Sequence, residues 1–324
     1  MHPRPTGVSQ RDEAVRVVAD APKATAPATP ARGALEGRRR GWAMMALTGP
    51  AVAWFVVFMV GPLVSVFYLS VLDWPGLIAD RSFVGLDNFA ALLGDPVFWL
   101  VAQHTAIQLG VVLPTMIPLA FMLGYFLSLR PPGHRVLSAI FFSPALISVP
   151  ARAMMFLGLY LPDGIINTFL QGVGLDAWTK VWLADTSTAL GAIIVMDLWA
   201  GIGFTAVLFA ARISGISKEI FEAADTDGAS HWTKMWRITF PVIRGYVGVL
   251  TMLQFLWLLL ATAQNVLLLT KGGPGNASMT LAYLLYDQAF ESSAIGSSQA
   301  IGVVLFVVGF AGMLLIRRVL RPTY

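Results

Sequence analysis

Apolar residues along this chain collect into six runs, approximately 42–72, 99–129, 136–161, 187–211, 242–270 and 298–316. Each exceeds the ~20 residues that cross ~30 Å of hydrocarbon at 1.5 Å per residue. The pattern predicts an all-α polytopic membrane protein with six transmembrane helices. Two polar segments interrupt it. Residues 1–41 are rich in Ala, Pro and Arg, lack periodicity and end in Arg38-Arg39-Arg40. They read as a disordered basic arm, because they cannot bury enough apolar surface to fold. A cleaved signal peptide does not fit, since the following run is too long for an h-region and carries no A-x-A site.

The second polar segment is 217–241, flanked on both sides by apolar runs. Ser217 is placed as a helix N-cap, Lys218 to Thr226 as a short helix, and Gly228 as the φ > 0 stop. Ser230 then caps a second helix running toward Pro241. Ile220, Phe221, Ala224 and Ala229 give this hairpin an apolar side, while Lys218, Glu219, Glu222 and Asp225 stay polar.

Charge orients the whole. Of 22 Lys and Arg, nearly all lie in the arm, the 2–3 loop (Arg130, Arg135), the 4–5 loop (Arg212 to Arg244) and the tail (Arg317, Arg318, Arg321). The opposite side holds Arg81, Lys180 and Lys271, and Arg152 falls inside a span. The positive-inside rule then puts both termini and the 217–241 hairpin in the cytoplasm. Hydrophobic residues make up 56% and charged ones 12%, far from the ~25% charge of soluble domains. Cysteine is absent, which excludes disulfides and thiolate chemistry. His2, His104, His134 and His231 show no metal-ligand spacing. No G-x-x-x-x-G-K-[ST], H-E-x-x-H or G-x-S-x-G occurs, so ATP binding and hydrolytic chemistry are not expected of this chain. The arginines lack interleaved aromatics, which argues against nucleic acid.

Ionisable groups within spans are candidates for function, because hydrocarbon makes them costly. Asp197 lies two helical turns before Phe204, with Gly201 between them on the same face. A carboxylate, a bare glycine surface and an aromatic ring make a plausible sugar platform; a helix–helix hydrogen bond or ion pair is the competing account of Asp197. Thr262, Gln264 and Asn265 form a second polar cluster, for which inter-helix bonding competes with ligand contact. Arg152 has three open roles: snorkelling outward, pairing with Asp197, or holding an anionic substrate. Trp54, Trp99, Trp182 and Trp257 fit an interfacial belt or packing.

The hairpin resembles the E-A-A-x3-G-x9-I-x-L-P signature of ABC importer permeases. Glu222, Ala223, Ala224, Gly228, Ile238 and Pro241 fall on it at its own spacing, and Phe240 replaces its Leu. Asp227, directly before Gly228, is grouped with the same coupling surface. The stretches 82–89 with Asp95-Pro96 and His104-Thr105, 161–168 and 269–276 are similar to outer loops of the first permease of carbohydrate importers; that family usually reads Asn-Thr at His104-Thr105. The resemblance covers nearly everything from Trp42 onward and implies a type I ABC importer permease fold over 42–324, in a prokaryotic cell membrane. It implies a second permease forming a heterodimer, two copies of a cytoplasmic ATPase that binds ATP and Mg, and an extracytoplasmic solute-binding protein. It implies no cofactor on this chain, and a site lined by Asp197, Ala200, Gly201 and Phe204 for a sugar, oligosaccharide or polyol moved by alternating access. An anionic substrate such as glycerol phosphate is the closest alternative, suggested by Arg152 and opposed by Asp197. An ion-coupled secondary transporter using Asp197 would require an inverted repeat, and the sequence shows none.

Overall fold

The computed structural model describes Met45, residues 47–76 and 80–321. The basic arm 1–41 therefore lies outside the described residues. The chain divides into two compact units, residues 1–61 and 62–324. In the first, 47–60 is helical, and its Trp54 and Phe58 rings pack 4.2 Å apart. Among the described residues, five helices are long and apolar enough to cross a membrane: α1 Leu47–Ser70, α3 Pro96–Ser128, α7 Ala189–Ile213, α9 His231–Leu260 and α12 Ile295–Val319. A sixth crossing arises if α4, His134–Leu146, and α5, Val149–Leu159, count as one span bent by 99°.

That bend departs from the continuous third span expected from hydropathy. Hydropathy counts apolar residues and is blind to backbone chemistry. Pro144 lies inside α4, and Pro150 sits in the first turn of α5. Proline disfavours helix at the residue before it and donates no N–H, so the pair brackets a break at Ile147-Ser148. Ile147 is extended, and the Ser148 hydroxyl accepts from the Ala151 N–H to restart the helix.

The fifth span differs too. Its helix begins at His231, within the polar hairpin, and runs through Pro241 without stopping. A stretch of π-helix, Lys234–Thr239, absorbs the disruption: the Phe240 N–H bonds Met235 O, five residues back, and Thr239 Oγ1 donates to Lys234 O at 3.0 Å. Such π-turns relieve a ladder that proline interrupts. The span ends at Leu260, and a short helix, α10 Ala263–Leu269, follows after a turn.

Within the larger unit α3 and α7 pack against each other along an extended face, permitted by small residues. A Cβ on Gly124 would sit 2.6 Å from Phe209 Cβ and 2.7 Å from Ala206 O. Two clusters make up most of the core. One gathers Val101, Phe156, Ile193, Met196, Leu259 and Ile301; the other gathers Phe121, Tyr125, Ala206, Phe209, Met235 and Ile243 near the hairpin.

The loops are tied by side-chain-to-backbone bonds. Two short strands, β1 Leu72–Asp73 and β2 Ser82–Phe83, pair antiparallel. In α2, Asp87–Gly94, Asn88 Nδ2 donates to Ser70 O and Leu72 O at 2.9 and 2.8 Å. Asp95 caps α3 by accepting from the Val97 N–H at 2.8 Å. In α6, Ile165–Gly172, Asn167 Oδ1 accepts from Trp182 Nε1 at 2.9 Å. Thr105 Oγ1 accepts from the Leu281 N–H at 2.9 Å. Asn88, Asn167 and Thr105 thus fasten loops onto helices.

Candidate functional site: a polar hairpin and a three-helix cavity

The hairpin forms from local signals. Helix α8, Lys218–Thr226, stops in a Schellman-type cap: the Ala229 N–H bonds Ala224 O at 2.9 Å and the Gly228 N–H bonds Asp225 O at 3.0 Å. Gly228 sits at φ +72°, as its residue type demands. Ser230 caps α9 by accepting from the Thr233 N–H at 3.2 Å. Ser217 precedes α8 without capping it; its hydroxyl bonds Glu219 instead. A Lys234–Asp225 ion pair ties the two helices, with Lys234 buried and Asp225 exposed.

The coupling candidates divide by exposure. Glu222, Ala223, Asp227, Gly228 and Pro241 are exposed, Ile238 is half-buried, and Ala224 turns inward. Behind them an aromatic cluster joins the hairpin to the bundle. The Phe121 ring of α3 lies 5.3 Å from Trp236, 5.6 Å from Phe240 and 5.7 Å from Phe209 of α7. Phe240, which replaces the signature's Leu, therefore packs as an aromatic in this cluster.

The second feature is a cavity of about 590 Å³, within the ~300–1,000 Å³ of small-ligand sites. Three elements wall it. The broken span contributes Ile147, Ser148, Val149 and Arg152; α7 contributes Ala200, Gly201 and Phe204; α9 contributes Gln254 and Trp257. Phe204 is half-covered by Phe142, its ring stacked 6.0 Å away. Ala200, Gly201 and Phe204 thus line one cavity together with Arg152, whose role the sequence left open, and without Asp197. Trp257 faces the cavity rather than a lipid belt, and neither Gln254 nor the Ile147–Val149 break was singled out from sequence. The paired prolines around that break are the signal that could have found it.

Asp197, Thr262, Gln264 and Asn265 lie elsewhere. Asp197 is fully buried, and its two oxygens accept from Asn265 Nδ2 at 2.6 Å and Gln108 Nε2 at 2.7 Å. The carboxylate thereby joins α7 to α10 and α3. Thr262 is buried and bonds Leu258 O at 2.8 Å, whereas Gln264 is exposed. Arg152 makes no ion pair with Asp197 among the described residues. Sequence reasoning missed Gln108, a polar residue inside a span whose partner is 89 positions away. Asp197→Ala would strip both amides of their acceptor, at roughly 1–3 kcal/mol for each buried group left unpaired. We expect a clearly lower melting temperature for the purified variant in detergent; a melting curve superimposable on wild type would show that the network does not stabilise the bundle.

A bundle of membrane-length helices around a cavity, with a polar helical hairpin packed onto its core, is the architecture of a membrane permease component. The chain belongs to the family of binding-protein-dependent transport system inner membrane components, which it matches over residues 40–322. It is 30% identical over 249 residues to the probable ABC transporter permease protein YurN of Bacillus subtilis, covering 75% of this chain and 84% of that one. It is 30% identical over 282 residues to the diacetylchitobiose uptake system permease protein NgcF of Streptomyces coelicolor, covering 82% and 78%. In fold it is similar to a chain of a bacterial ABC transporter involved in the import of the acidic polysaccharide alginate, with a TM-score of 0.77 at 21% identity over 90% of this chain and 99% of the other.

Proposed function

We propose that this chain is one permease subunit of an ATP-driven importer for a sugar or oligosaccharide. The observation that carries the reading is the 217–241 hairpin: an exposed Glu222-Ala223 surface on a helix pair whose angle is set by Gly228 and whose base is packed into α3 and α7 by aromatics. Similarity to sugar-transport permeases, including the lactose transport system permease protein LacF of Rhizobium radiobacter at 29% identity over 256 residues, supports the substrate class.

In this reading both termini and the hairpin face the cytoplasm. A separate ATPase, present in two copies and binding ATP and Mg, docks on the hairpin; a second permease completes the membrane unit, and an extracytoplasmic binding protein delivers the solute. ATPase closure pushes the hairpin, and because packed interiors transmit displacement, the aromatic cluster passes it to α3 and α7. The cavity walled by α5, α7 and α9 then opens to one side and to the other in turn. Its half-exposed Phe204 and Trp257 offer apolar faces to sugar rings, and Gln254 offers polar atoms to hydroxyls.

The energy source tests this reading. In cells dependent on this chain, uptake of a labelled oligosaccharide should survive collapse of the proton gradient while ATP is maintained. It should stop when ATP is depleted with the gradient intact. The reverse result would establish an ion-coupled transporter and overturn the proposal.

A further inference from the structure

We infer that the cavity selects a saccharide carrying an oxyanion, a carboxylate or a phosphate, and that Arg152 is the residue that binds it. The inference rests on the saccharide reading above and narrows it. Arg152 is 95% withdrawn from solvent, at 5% relative exposure, yet it lines the cavity wall. Its Nε has no hydrogen-bond partner among the described residues. A guanidinium keeps its charge and presents five donors in a planar fork that matches carboxylate and phosphate oxygens. Buried without a bonded partner it is a net cost to the fold.

Its position adds to that cost. Arg152 lies in the first turn of α5, where the span restarts after the break. The helix dipole places partial positive charge at that end, so a cation there is disfavoured unless an anion faces both. Ile147, Ser148 and Val149, the residues of the restart, line the same cavity. A broken membrane helix whose N-terminal end meets a cavity is suited to an anionic group.

Asp197 does not satisfy this arginine. It makes no ion pair with Arg152 among the described residues, both its oxygens are engaged by Gln108 and Asn265, and it is not among the cavity-lining residues. Of the other polar side chains of the wall, Gln254 donates its amide N–H to Thr205 Oγ1 at 2.8 Å and the Ser148 hydroxyl accepts from the Ala151 N–H.

The test is direct binding to the full-length chain, co-purified in lipid nanodiscs with the subunits it brings along and without added binding protein. Three probes are titrated: digalacturonate, glucose 6-phosphate and neutral maltose. At least one anionic probe should bind about tenfold or more tighter than maltose, a difference of ~1.4 kcal/mol, and which one leads separates carboxylate from phosphate. In Arg152→Gln the loss for that anion should exceed the loss for maltose by a similar factor, and Arg152→Lys should fall between, keeping charge but not the fork. The wild-type comparison stands even where a variant fails to fold. Maltose binding as tightly as both anions would overturn the inference and leave the saccharide reading intact. Binding of none of the three would bring down both.

Discussion

Gly203→Ala is expected to abolish accumulation of folded protein, although it adds a single methyl group. Gly203 is buried on α7, and a Cβ built there lies 1.6 Å from Phe141 O and 2.5 Å from Phe141 C on α4. Those are backbone atoms, which cannot rotate away as a side chain could. The helices would have to separate, opening the packing that also holds Phe142 against Phe204. Overpacking a tight core costs typically ~1–3 kcal/mol, and a clash with rigid backbone belongs at or beyond the top of that range. Gly191→Ala, on the same helix, is the matched control, since nothing lies within 4 Å of its added methyl; helix propensity favours that change by up to about 1 kcal/mol. Size-exclusion profiles of the two variants should differ sharply, with Gly191→Ala like wild type and Gly203→Ala aggregated or absent. A monodisperse, normally stable Gly203→Ala protein would show that α4 and α7 do not meet in this way.

What could be read from sequence follows how far each signal reaches along the chain. The hairpin was legible almost residue by residue, because caps and glycine stops act within five positions: Lys218–Thr226, the φ > 0 at Gly228 and the Ser230 cap all stand where their residue types put them. Span positions were legible from hydropathy. The break at Ile147-Ser148 was not, because counting apolar residues ignores the missing N–H of Pro150 and the ring of Pro144. The continuation of α9 through Pro241 was likewise hidden, since a π-turn is a backbone adjustment with weak sequence marks. At the cavity, periodicity placed Gly201 and Phe204 on one side of α7, and the family resemblance added Ala200. It set the direction of Asp197 but not what covers it, and only the long-range partners Gln108 and Asn265 show that its oxygens point into packed helices. The open choice for Arg152 narrowed for the same reason: burial and partners are properties of the assembled bundle.

Gly228→Val should leave the spans inserted and reduce transport to near zero. At φ +72°, with nothing within 4 Å of an added Cβ, the substitution meets no steric wall. Its whole effect is conformational: on the order of 1–2 kcal/mol for an L-residue in the left-handed region, and worse for a β-branched one. The turn escapes that strain by changing direction, which swings α8 away from α9 and separates Asp225 from Lys234. Asn tolerates this region, so Gly228→Asn should restore much of the activity. Thermal stability should fall in Gly228→Val, because the swing of α8 leaves the buried Lys234 without its partner, and should scarcely change in Gly228→Asn, which keeps the pair.

Because the chain contains no cysteine, Ala223→Cys creates a single thiol on the exposed face of α8. The most direct measurement is cross-linking of that thiol, in membranes, to the nucleotide-binding subunit proposed to dock on the hairpin. The account predicts an adduct of the two subunits whose yield changes with added nucleotide and is nearly lost when Gly228→Val is introduced beside it. A normally inserted Ala223→Cys protein that forms no adduct with any nucleotide-binding subunit, or whose adduct is indifferent to Gly228→Val, would contradict it.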